Sequence, residues 1–88
     1  NTEVSIRILL AGLDKLDGNV AAEIEQYSTI LGLSPDNLNV SYMRGVSYYN
    51  TGNITQAIVD IEHFISNTDL PYDHPQVQHS LKMTNELK

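Results

Sequence analysis

The 88-residue sequence predicts an all-α fold of five helices, two antiparallel hairpins followed by a capping helix, in a single domain over residues 1–88. Three features lead to this reading. Apolar residues recur at spacings of three and four, which lays a stripe along a helix of about 3.6 residues per turn, and strand-like alternation is absent. Gly, Pro and Asn punctuate the chain at Gly18-Asn19, Gly32 to Pro35, Gly52-Asn53 and Pro71 to Pro75, and the segments between them have helix lengths. The pattern also repeats with a period of 34: the shift places Gly18-Asn19 on Gly52-Asn53, Val20 on Ile54, Ile24 on Ile58, Ala11 on Gly45 and Ile30-Leu31 on Phe64-Ile65.

The first helix, near 3–17, carries Val4, Ile8 and Ala11 together with Ile6, Leu9, Leu10, Leu13 and Leu16. That is more apolar surface than one partner helix can cover, so an edge is left to dock on an upstream domain or on a second copy. The second, near 19–32, follows Val20, Ile24, Tyr27, Ile30 and Leu31; the third, near 37–51, follows Leu38, Tyr42, Val46 and Tyr49. The fourth, near 53–66, has Ile54, Ala57, Ile58, Ile61, Phe64 and Ile65. A glycine closing one helix, with a small polar residue before the next, lets the chain reverse tightly, so each pair of helices forms a hairpin. The fifth, near 74–87, opens at Asp73-His74-Pro75, where aspartate can cap and proline suits a first turn. Its stripe is narrow, Val77, Leu81, Thr84 and Leu87, and Gln76, Gln78, Lys82, Asn85 and Glu86 surround it as an end cap requires.

Composition removes several classes of function. Eleven Asp+Glu against five Lys+Arg give a net charge of -6, which repels phosphate backbones and anionic lipid. Without cysteine there is no disulfide framework, thiolate nucleophile or Cys-based zinc site. No apolar run reaches the ~18 residues of a membrane span and no basic-then-apolar leader is visible. The expectation is a soluble, cytoplasmic chain, and its start at Asn1 is that of a processed protein or a piece of a longer one.

The second unit resembles a tetratricopeptide repeat (TPR): from Gly45, Tyr48 follows at three residues, Gly52 at seven, Ala57 at twelve and bulky Ile61 at sixteen, with Pro35 ten residues before. Gly45 and Ala57 are small where two helices cross closely, Tyr48 fills the space beside them and Gly52 makes the turn. The first unit offers Leu10, Ala11, Gly18, Tyr27 and Pro35, and departs at Asp14 and Glu23, where the family usually has an aromatic and an alanine. The resemblance implies a right-handed superhelix, with repeat one near 4–37, repeat two near 38–71 and a capping helix near 74–87. A narrower likeness, in Arg44-Gly45 and the run Ala57 to Ile65, is to the C-terminal repeats of bacterial transglutaminase-like proteins of the sirB type. It implies a helical accessory tail of a larger catalytic protein.

The family implies a concave groove lined by the first helix of each hairpin. Carried onto this chain, that surface is Asn39, Tyr42, Met43, Val46, Tyr49 and Asn50 from the third helix and Ser5, Ile8, Leu9, Gly12 and Lys15 from the first. Its apolar, aromatic character suits a peptide or a helix. Family members that grip the acidic tails of chaperones use cationic and amide side chains where this chain has Ile8, Gly12, Tyr42 and Val46, which argues against such a ligand. Arg44 stands where leucine is usual, and Asp60, sixteen residues on, is placed to accept from it and fix the register of the two helices. His74 and His79, with Asp69 and Asp73 nearby, invite a metal reading, but five residues on one helix splay two side chains apart. His74 is read as part of a helix start, and His79 and His63 as solvated. Asn39-Val40-Ser41 and Asn53-Ile54-Thr55 match the glycosylation pattern at helix starts and are read as coincidence. No catalytic set and no cofactor are expected, and the function implied is a non-enzymatic protein–protein interaction module.

Overall fold

A computed structural model describes residues 2–87; Asn1, Lys88 and the Leu87 side chain lie outside it. The helices are α1 (Thr2–Leu16), α2 (Val20–Leu33), α3 (Leu38–Asn50), α4 (Ile54–Asn67) and α5 (Pro75–Leu87), and no strand occurs among the described residues. Each boundary falls within one residue of the sequence expectation, because the punctuating residues sit at the caps.

The two hairpin turns have the same construction 34 residues apart. Gly18 and Gly52 adopt φ of 74° and 82°, a left-handed conformation open to glycine at little cost. The next backbone N–H reaches back to close the helix end: Asn19 N–H donates to the Asp14 carbonyl at 2.8 Å and Asn53 N–H to the Tyr48 carbonyl at 2.9 Å. The same asparagines then open α2 and α4, their carbonyls accepting from Glu23 N–H and Ala57 N–H, both at 3.1 Å. Asn19 Oδ1 accepts from Ala22 N–H at 3.2 Å, and Asn37 Oδ1 starts α3 by accepting from Val40 N–H at 3.3 Å.

The start of α5 differs from the expected aspartate cap. Pro75 has no N–H, so the first free donor is Gln76 N–H, and it is met by His74 Nδ1 at 3.1 Å rather than by Asp73. The expected stripe of α5 is buried at Val77 and Thr84, but Leu81 is only half-buried, and Ser80 and Met83 are buried beside them. The two hydroxyls can turn inward because the helix satisfies them itself: Ser80 Oγ donates to the Gln76 carbonyl at 2.7 Å and Thr84 Oγ1 to the Ser80 carbonyl at 3.1 Å.

Each helix packs on the next along the chain, α1 on α2, α2 on α3, α3 on α4 and α4 on α5. Ala11, Tyr27, Ile30 and Val40 form a buried cluster between the first three helices, with Val4, Ile8, Leu31 and Met43 against it. Ala57, Ile61 and Phe64 of α4 are buried as well, and the Phe64 ring lies 5.2 Å from the Tyr42 ring. Burial of such side chains contributes about 1.5–3 kcal/mol each for the large ones.

The α3–α4 crossing is the tightest. A Cβ on Gly45 would lie 2.7 Å from Ile61 Cδ1 and 3.2 Å from Asp60 Cβ, so a methyl there would force the buried Ile61 side chain to shift. Beside it, Arg44 Nε donates to Asp60 Oδ2 and Nη2 to Asp60 Oδ1, both at 2.7 Å, and Nη1 donates to Ser28 Oγ on α2 at 3.1 Å. The hydrogen bonds to Asp60 hold the guanidinium pKa above its ordinary value, against the lowering by desolvation. The guanidinium carbon also lies 5.7 Å from the centre of the Tyr48 ring, within cation–π range.

Gly45→Ala should therefore overpack the crossing and lower the unfolding free energy by about 1–3 kcal/mol. Gly12, also helical but with nothing within 4 Å of a built Cβ, should gain stability on replacement by alanine, by up to about 1 kcal/mol. Urea unfolding followed by circular dichroism separates the two, and equal effects at both positions would contradict the close approach.

Candidate functional site

Three helices leave a cavity of about 280 Å³ where the end of α1 meets α2 and α3. Lys15 comes from the last turn of α1. Val20, Glu23 and Tyr27 share one face of α2 by their three- and four-residue spacing, and Met43, Val46, Ser47 and Asn50 share one face of α3, with Tyr42 at its edge. The walls are thus mostly apolar and aromatic, with Lys15, Ser47 and Asn50 at polar positions and one acidic group.

That group is Glu23, only 3% exposed. Its Oε2 accepts from Tyr27 Oη–H at 2.8 Å and from Ser47 Oγ–H at 3.1 Å, which ties α2 to itself and to α3. Desolvation first, then the hydrogen bond to Glu23 and the nearby negative charge, push the Tyr27 phenol far above its ordinary value of 10.0. Among the described residues Oε1 of Glu23 takes no hydrogen bond, and it is not sealed away from solvent-accessible space.

Of the residues assigned to a groove from sequence, Lys15, Tyr42, Met43, Val46 and Asn50 line this cavity. Ile8 instead packs against the buried cluster, and Gly12, Ser5 and Leu9 are exposed on α1. Asn39, Tyr42 and Tyr49 meet α5. Asn39 Oδ1 accepts from Gln76 Nε2 at 3.3 Å, Tyr42 Oη and His79 Nδ1 are 2.7 Å apart, and Tyr49 Oη–H donates to Glu86 Oε2 at 2.6 Å. The constant separation of 37 residues in these pairs sets α5 alongside α3 in the same direction, so that flank of α3 is occupied by the chain itself. The hydrogen bond to Glu86 raises the Tyr49 phenol, and desolvation raises that of Tyr42. His79 and His63 are exposed, and His74 serves the helix start.

Sequence reasoning did not single out Val20, Glu23, Tyr27 and Ser47 as site residues. The available signal was Glu23 itself, a charge inside the apolar stripe Val20, Tyr27, Ile30, four residues before a tyrosine that can donate to it. In comparison with known proteins, no family model, no curated protein and no solved structure matches the chain.

The phenols give a pH dependence of definite sign. Below the ordinary value of 10.0 they are neutral in folded and unfolded chains alike, and stability is fully present. Above it the unfolded chain loses those protons first, so stability should fall as pH rises from 10.0 toward the folded-state value of Tyr27. Tyr27→Phe should flatten that alkaline decline in urea midpoints measured against pH. A single phenolate titration at the ordinary value, with the folded spectrum intact, would contradict the buried Tyr27–Glu23 pair.

Proposed function

We propose that this chain is a non-enzymatic, TPR-like protein–protein interaction module, its two hairpins and capping helix stacked as a short right-handed solenoid, that binds a peptide or a helix over the α1–α3 surface. The observation that carries the reading is the apolar and aromatic cavity of about 280 Å³, whose lining includes Lys15, Tyr42, Met43, Val46 and Asn50. Tyrosine and methionine bring contact area at small entropic cost and adapt to a partner's side chains. The repeat assignment is supported by the matched turns at Gly18 and Gly52 and by the close α3–α4 approach at Gly45. Cytoplasmic location is part of the proposal; no helix among the described residues is long and apolar enough to cross a membrane. The net charge of -6 favours a protein partner over nucleic acid.

The α1 face favours a second reading, docking against another domain or a second copy. Leu9 is 70% exposed, Leu13 58%, Leu16 84% and Ile6 51%, all at spacings that place them on one side of the helix. A contiguous apolar face of this kind marks an interaction surface. It is compatible with a helical accessory tail of a larger catalytic protein.

Selection of a displayed peptide library on the folded chain tests the first reading. Enriched peptides should lose binding to Val46→Arg, and enrichment that survives this substitution would place binding elsewhere. The α1 reading predicts concentration-dependent dimers by light scattering that Leu9→Glu and Leu13→Glu abolish with helix content unchanged. A wild-type chain that stays monomeric at high concentration removes the second copy as the occupant of that face.

A further inference from the structure

We propose that the cavity between α2 and α3 is a receptor for a primary ammonium group on a short alkyl stem, the side chain of a lysine in the bound peptide or helix. The proposal rests on the peptide-binding reading and names what the pocket selects.

A carboxylate 3% exposed is costly to keep unless its lone pairs are met. Within the protein, donors reach Glu23 on one side only. Oε2 is taken by the hydroxyls of Tyr27 and Ser47, whereas Oε1 has no donor among the described residues, and Glu23 has no ion-pair partner among them. Oε1 is not sealed from the solvent-accessible space of the cavity that Glu23 lines, so a ligand's donor can reach it there. The rest of the wall suits an aliphatic stem: Val20, Val46 and Met43 offer apolar surface, and the Tyr27 and Tyr42 rings can stack on methylenes or face a cation.

Size and charge narrow the ligand. About 280 Å³ lies at the lower end of the range for small-molecule pockets and has room for a single side chain. The chain's net charge of -6 enriches cations near its surface. Lysine is favoured over arginine because a guanidinium fork needs both carboxylate oxygens, and Oε2 is already engaged twice; an ammonium is a compact charge that one oxygen can receive. Lys15 lines the same cavity, where its positive charge opposes an entering cation. Its removal should tighten binding.

The test is an NMR titration of the full chain at constant ionic strength with n-butylammonium, n-butanol, butyrate and n-propylguanidinium, observing Met43, Val20 and Val46 methyl signals. Butylammonium should bind about tenfold more tightly than butanol, as a charge-assisted hydrogen bond supplies, with butyrate and propylguanidinium weaker than butylammonium. Glu23→Gln should reduce butylammonium to the level of butanol, Lys15→Met should tighten it, and Val46→Trp, filling the space, should remove it; the Lys15→Met arm stands even where Glu23→Gln loosens the fold. Equal binding of butanol and butylammonium would overturn ammonium selection while leaving an apolar peptide pocket. Preference for propylguanidinium or butyrate, or no shift at these methyls with any probe, would overturn the proposal too, and the peptide selection on the Val46→Arg variant judges the wider reading separately.

Discussion

The rest of the structure depends on the contact that Arg44 and Gly45 make with Asp60 and Ile61. Each pair is separated by sixteen residues, and together they set the register of α3 on α4. A slip of one residue would bring a side chain onto Ile61 and leave Asp60, 4% exposed, without its fork of donors. Steric and electrostatic demands therefore agree on one alignment. The third donor of Arg44 extends it: Ser28, also sixteen residues away, binds α2 to the same guanidinium. One side chain thus links three helices, and removing either charge would strand the other in a place with little water.

With that register set, α3 serves three neighbours at once. Ser41, Gly45 and Arg44 belong to its inner side, where Arg44 and Gly45 meet α4; Met43, Val46, Ser47 and Asn50 line the cavity beside α2; Asn39, Tyr42 and Tyr49 reach α5. This accounts for its composition, rich in Ser, Asn and Tyr for a central helix. Beside the apolar packing of Val40, Met43 and Gly45, it makes hydrogen bonds of defined direction, which position groups more sharply than apolar packing does. The cavity inherits that precision, since Ser47 and Tyr27 hold Glu23 from two helices.

The helices and their turns were legible because they rest on local chemistry. Gly18 and Gly52, with the asparagine after each, specify a left-handed residue and a cap, and neither requires knowledge of distant packing. The exposed leucines of α1 were legible for a related reason: an apolar face too broad for one partner can be counted along the chain. The Arg44–Asp60 pairing followed from helix geometry once a hairpin was assumed. What escaped was decided between helices. Glu23 looks like a misplaced charge until Ser47, 24 residues away, is brought beside it. The alignment of α5 beside α3 depends on rotation of a helix whose Ser80 can be buried through a bond to its own backbone, a choice that the stripe of Val77, Leu81 and Thr84 does not reveal. His74 displaced Asp73 as the cap because the helix began one residue later than the expected start, at a proline.

The most direct test of this account is a double-mutant cycle between Arg44 and Asp60, using Arg44→Met, Asp60→Asn and the pair, read as unfolding free energies in urea. The bidentate geometry predicts that each single change is severe and that the second adds little once the first is made, giving a coupling of about 2 kcal/mol or more. Additive losses, with coupling near zero, would show that the fork does not hold α3 on α4 and would contradict the account.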